Sequence, residues 1–267
     1  MGDVLEDRSS VTVVTSSSSR YARQLPLIGE NGQQRLKEST VLVAGIGGLG
    51  GACALYLAAA GVGHLILLHD GVVQLPDLNR QTLMNWESLG RPRVEEAEKT
   101  LRAFDPDLKV TTIQGKVGEV SLDTWLKQAD LVIDARYDME ERFKLNELCV
   151  RQGVPMMEAA MYGWEIFLFW VIPKLGPCLE CLHARDAAEA WQPLGFPVLG
   201  AVAGAAGAMA ASEAVKWITQ KRVAGGGRGL SMGTLFSLHL LYMDTHAIQV
   251  ARNPHCPVCG DRPHVRV

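Results

Sequence analysis

The stretch VLVAGIGGLGGACALYLAAAG, residues 41–61, constrains this chain more than any other. Its first residues form a continuous apolar, largely β-branched run with no polar alternation. Such a run suits a strand buried on both faces, which requires helices on either side of a parallel sheet. Three glycines follow as Gly45-x-Gly47-x-x-Gly50, and an alanine-rich helix-forming segment ends at Gly61. Between a strand and a helix, glycine spacing of this kind lets backbone approach a phosphate, while the helix N-terminus supplies free N–H groups. The loop therefore predicts a nucleotide. It does not say which one: Asp70, at the end of the next apolar run HLILLHD, suits a ribose of NAD or of ATP alike.

Strand and helix patterns alternate along the rest of the chain. PRVEEAEKTLRAFDP, DTWLKQ and MEERFKLNELCVRQG read as helices, and LKVTTIQGKV and ADLVIDAR as strands. VPMMEAAMYG and WEIFLFWVIP add two strands, 198–218 a long small-residue helix, and 233–250 a last strand pair. The expectation is an α/β fold: a doubly wound, Rossmann-like, mostly parallel sheet with added antiparallel strands. The Ser-rich residues 1–19 read as a disordered leader, 20–262 as one domain and 263–267 as a tail.

Composition narrows the function classes. A net charge of −3 leaves no footprint for nucleic acid. The leader has neither a basic start nor a long apolar run, so no secretory signal is visible and the expected compartment is the cytoplasm. Glu213 and Lys216 interrupt the helix at 198–218, which favours tight packing inside a protein over a membrane span. Six cysteines without an export signal argue for thiols or metal ligands. Four of them form two CxxC pairs, Cys178/Cys181 and Cys256/Cys259, with the spacing of zinc knuckles. Four thiolates leave a zinc ion no open position, so its role there is structural.

RYARQ (20–24), GIGGLG (45–50), LNRQ (78–81), GRPRVEEA (90–97), DLVIDARYD (130–138) and the two CxxC doublets occur in an order that resembles the ThiF/MoeB/HesA family, relatives of ubiquitin-activating enzymes. The likeness spans roughly residues 20–262. LNRQ-TLM, EAAMYG, GFPVLGAVAG and CPVCG are most similar to the HesA branch, whose members are found with nitrogen-fixation genes. The resemblance implies a homodimer that adenylates an acidic substrate with Mg-ATP, releasing pyrophosphate. It implies a phosphate loop of Gly45, Gly47, Gly48 and Gly50, with Arg23 reaching in from the partner subunit and Arg80 and Arg93 acting within the site.

Several positions depart from the family pattern. Where the family has D-x-D, this chain has His69-Asp70-Gly71, so Asp70 takes over the ribose or the ribose is held otherwise. The asparagine before L-x-R-Q is Asp77, and the family lysine is Arg93, a planar fork suited to oxyanions. The magnesium-binding aspartate is replaced by Tyr137, which leaves Asp138, Asp77 and Asp70 as candidate carboxylates. No cysteine lies between the first CxxC and the long helix, so no covalent cysteine step is expected.

Two acids compete as the activated species. One is molybdate in maturation of the nitrogenase iron–molybdenum cofactor, delivered with a cofactor-assembly protein; Arg136, Arg93 and Tyr137 offer donors to such an oxyanion. The other is the C-terminal carboxylate of a small ubiquitin-like sulfur carrier. A degenerate ATP-binding scaffold remains a third reading, and an NAD-dependent oxidoreductase a distant fourth.

Overall fold

The computed structural model describes residues 19–183, 197–219 and 232–261. The expectations for the leader and the tail concern segments outside these residues, apart from Ser19.

An N-terminal helix α1 (Leu25–Glu38) leads into β1 (Thr40–Ala44), α2 (Gly48–Ala60) and β2 (His64–His69). Two short 3-10 turns, Leu75–Asn79 and Trp86–Ser88, bridge to α3 (Arg93–Phe104) and β3 (Lys109–Gln114). Then come α4 (Asp123–Leu126), β4 (Leu131–Asp134), α5 (Met139–Gln152), β5 (Met156–Tyr162) and β6 (Glu165–Val171). A single-turn α6 (Leu179–Leu182), the long α7 (Gly200–Thr219), β7 (Thr234–His239) and β8 (Asp244–Gln249) complete the elements of the described residues.

One eight-stranded sheet runs in the order β3-β2-β1-β4-β5-β6-β7-β8. Its first five strands are parallel and the last three pair antiparallel, as the late strand pair suggested. The buried strands alternate faces residue by residue. Val41, Val43, Leu65, Leu67, Leu131 and Ile133 share one core with α2 and α7. Leu42, Ala44, Ile66, Leu68 and Val132 share the other with α5 and the cysteine doublets. Continuous apolar strands thus reflect cover on both faces.

Small residues in α7 serve packing. A Cβ at Gly207 would sit 2.3 Å from the Leu49 carbonyl oxygen, so glycine is what lets α7 press onto α2. Among the described residues, no helix is long and apolar enough to cross a membrane. The 3-10 turns and α6 had no signal in apolar spacing, because each is too short to show a period.

The chain leaves β1 toward β2 and β3 on one side and crosses to β4 and β5 on the other. At that reversal the connections diverge and open a crevice beyond the carboxyl ends of the strands.

Candidate active site

A cavity of about 580 Å³ occupies that crevice. Gly47 and Gly48 form its floor, Arg80, Arg93 and His69 one wall, and Ala159 to Tyr162 with Phe167 and Leu235 an apolar wall opposite.

Backbone geometry makes the floor. Gly45 adopts φ +104°, and a Cβ there would lie 2.4 Å from the Ala135 carbonyl oxygen, so only glycine lets the loop pass β4. Gly47 caps α2 in an extended conformation, and a Cβ on it would meet nothing within 4 Å. The first helical N–H groups, at Gly48 to Gly50, lack intrahelical acceptors, and the helix dipole favours an anion beside them. Gly50 serves packing: its Cβ would collide with the Gly45 carbonyl.

The wall is an interlocked set of charges. Asp77 is buried and accepts from Arg93 Nη2 at 2.6 Å and from Arg80 Nη2 at 3.2 Å. Arg136, 1% exposed, donates to Asp70 at 3.0 Å and to Glu141 at 2.5 Å. His69 sits between these groups. Burial, reinforced by Arg136 and Arg93, pushes its pKa down to about 3, so the ring is neutral. Its Nδ1 faces the Ile46 N–H at 3.1 Å and Arg136 Nη1 at 3.0 Å, both donors. Nε2 faces Arg93 Nη1 at 2.6 Å. Donors of the loop and of two arginines thus enclose the neutral ring on both sides, and the tautomer sets which nitrogen accepts.

Deeper in, Arg142 donates to Glu158 Oε1 at 2.5 Å, faces Asp134 Oδ2 at 3.5 Å and binds the Arg136 and Ala159 carbonyls. Desolvation raises the carboxyl of Glu158 to about 7, and that of Asp134 moves up for the same reason.

On the opposite face of the sheet from α2, the Sγ atoms of Cys178, Cys181, Cys256 and Cys259 all lie within 4.8 Å of one another, close enough to hold a metal ion. The separations of 3.6 Å (Cys178–Cys256) and 3.5 Å (Cys181–Cys259) approach the roughly 3.8 Å edge of a tetrahedron built on about 2.3 Å zinc–sulfur bonds. Cys53 and Cys149 are fully buried, and burial lifts both thiols well above their ordinary range, which makes them poor nucleophiles.

Residues 21–258 match the model of the ThiF family. The chain belongs to that family. It is 42% identical over 256 residues to the heterocyst HesA protein of Trichormus variabilis, covering 94% of this chain and 92% of that one. It is 34% identical over 244 residues to the molybdopterin-synthase adenylyltransferase of Escherichia coli, covering 90% and 96%. Among solved structures, E. coli MccB with ATP superposes with a TM-score of 0.77 at 22% identity, over 91% of this chain and 74% of that one. This last likeness concerns the fold alone. With its HesA and adenylyltransferase relatives, the chain is a member of the E1-like adenylyltransferase group.

Within this ThiF-family frame, Gly47, Gly48, Arg80, Arg93 and Arg136 line the cavity. Gly45 and Gly50 shape the loop from behind. Asp70 and Asp77 are held by arginines just outside the cavity lining, and Asp138 caps α5 by accepting the Glu141 N–H at 2.9 Å. Arg23 is exposed on the turn before α1 and is not part of this lining. Tyr137 is 63% exposed at the cavity edge. Sequence reasoning did not single out Arg142 or Glu158. The one available cue was a lone acid within the apolar strand VPMMEAAMYG, which demands a buried partner.

Proposed function

We propose that this chain is an ATP-dependent adenylyltransferase that activates molybdate during maturation of the nitrogenase iron–molybdenum cofactor. The observation that carries the adenylyltransferase reading is the cavity itself: a glycine-loop floor at a helix N-terminus, faced by Arg80 and Arg93. Backbone amides suit the phosphates of a nucleotide, and the arginines suit charge that grows on a pyrophosphate leaving group.

The oxyanion attacks the α-phosphorus in line, and the protein supplies position and charge without a proton-transferring residue. ATP arrives as its magnesium complex. Asp70 and Asp77 are committed to arginines and do not suit a cation as placed, and Asp138 spends Oδ1 on the helix cap. Neutralisation is therefore assigned to Arg80, Arg93 and the loop amides. Arg23 is assigned to the site of a second copy in a homodimer. The cysteine cluster fits zinc, held by Cys178, Cys181, Cys256 and Cys259, which ties the segment after β8 to the segment after β6 and has no part in turnover.

Molybdate is favoured by the HesA likeness and by a cavity lining with four arginines and one carboxylate, Glu158. A second reading, a carrier protein's C-terminal carboxylate, draws on the apolar wall from Ala159 to Leu235, which suits a polypeptide tail. Pyrophosphate release from Mg-ATP, measured alone, with molybdate and with a Gly-Gly carrier, separates the readings. Release driven by molybdate is the expected result. Release only with the carrier selects the second reading, and tight ATP binding without release leaves a scaffold.

A further inference from the structure

We infer that Glu158 binds the acceptor oxyanion in its protonated form, donating a hydrogen bond from Oε2 to a substrate oxygen in the inner half of the cavity. The inference rests on the adenylyltransferase reading only in taking that oxyanion as the acceptor substrate.

Of the four carboxylate oxygens of Asp134 and Glu158, three have donors and one has none. Asp134 Oδ1 accepts the Arg136 N–H at 3.0 Å, and Oδ2 faces Arg142 Nη1 at 3.5 Å. Glu158 Oε1 accepts from the same Nη1 at 2.5 Å. Glu158 Oε2 is buried and has no partner among the described residues. The two acids are register partners on β4 and β5, sharing one guanidinium. Two carboxylates and one cation leave an unbalanced negative charge in a buried place, and a proton removes it.

That proton belongs on Oε2, the single oxygen of the four where it displaces no hydrogen bond. Once there, it makes a buried O–H donor that the protein leaves without an acceptor. Glu158 is 3% exposed and lines the cavity, and its cross-strand partner on β6, Phe169, carries no charge. From β4 it faces Asp134 and from α5 Arg142, while His183 after α6 lines the same cavity. A ligand oxygen is thus the acceptor this group lacks. The ionised carboxylate, in contrast, repels any anion. The carboxyl's rise to about 7 puts this change of sign within the working range.

The test is calorimetric titration of the full chain, loaded with a non-hydrolysable ATP analogue, at pH 6.5 to 8.5. The probes are molybdate and glycylglycine, which offer an inorganic oxyanion and a peptide carboxylate. At least one probe should bind, weaken about tenfold per pH unit above about 7, and take up close to one proton at pH 8. Glu158→Gln, which keeps a donor without the charge, should bind with no pH dependence over the same range. Proton uptake by the wild-type protein, read in two buffers of different ionisation enthalpy, serves if that variant does not fold. Binding that is independent of pH and proton-neutral, or no binding of either probe, overturns the inference. Pyrophosphate release is read separately: proton-linked binding without release sinks adenylation and leaves the Glu158 site intact.

Discussion

The floor and the wall of the cavity hold charge in different ways. The floor is backbone: glycines and the start of α2, with no side chain committed. The wall is a mesh in which Arg93 and Arg80 hold Asp77, Arg136 holds Asp70 and Glu141, and Arg142 holds Asp134 and Glu158. A backbone cradle asks only that glycines stay glycines, so it persists while side chains around it change. A wall of paired charges must change in concert, because a buried ion that loses its partner is costly. Here Arg136 and His69 are interlocked, with the guanidinium 3.0 Å from the ring Nδ1.

The sharpest contrast with both regions is the cysteine cluster, which holds the C-terminal segment by a separate means. Cys178→Ser should abolish metal content by elemental analysis and cost more than about 4 kcal/mol in chemical denaturation. Retention of metal and stability would show that Cys178 is not a required ligand.

Breaking the wall comes next. Arg142→Leu leaves Asp134 and Glu158 without their shared cation and should cost about 3–5 kcal/mol in urea unfolding. Arg80, a quarter exposed, separates activity from fold: Arg80→Ala should lower pyrophosphate release about 100-fold. Its melting temperature should stay near that of the wild type, since partly exposed ion pairs stabilise weakly.

The floor answers differently. Gly45→Ala forces a side chain onto φ +104° against the Ala135 carbonyl and should cost about 1–3 kcal/mol.

The smallest effect is a pH slope. His69 ionises near 3 when folded, against an ordinary 6.5, so between those values the unfolded chain binds the extra proton. Stability from this group is complete above about 6.5 and declines as pH falls toward 3. Glu158 acts in the opposite sense: raised from 4.5 to about 7, it makes stability decline as pH climbs between those values. His69→Asn should flatten the acid-side decline in a series of melting curves, and an unchanged decline would mean that the ring is not held neutral.

Legibility followed the same division. The run Val41–Ala44 announced a strand covered on both faces, and the glycines after it announced an anion cradle, because backbone requirements leave a local trace. The wall left less. Asp138 read as a possible metal ligand, and its capping of α5 depends on where that helix starts. Arg136 reads in the sequence as a donor to an oxyanion, and it is fully enclosed, since its partners Asp70 and Glu141 come from two different segments. Arg142 followed the ordinary spacing of a helix, and its partner Glu158 lies 16 residues on across two elements. Pairings of that kind are set by tertiary approach and have no local pattern.

Gly47 tests most directly the proposal that the floor seats the nucleotide. A side chain there has open space and an extended backbone, so Gly47→Val should fold and melt like the wild type while filling the cradle. Calorimetric titration with Mg-ATP should then show binding by the wild type and none by the variant. Equal ATP affinity in the two proteins would contradict the account, because the nucleotide would then sit somewhere other than on the glycine loop.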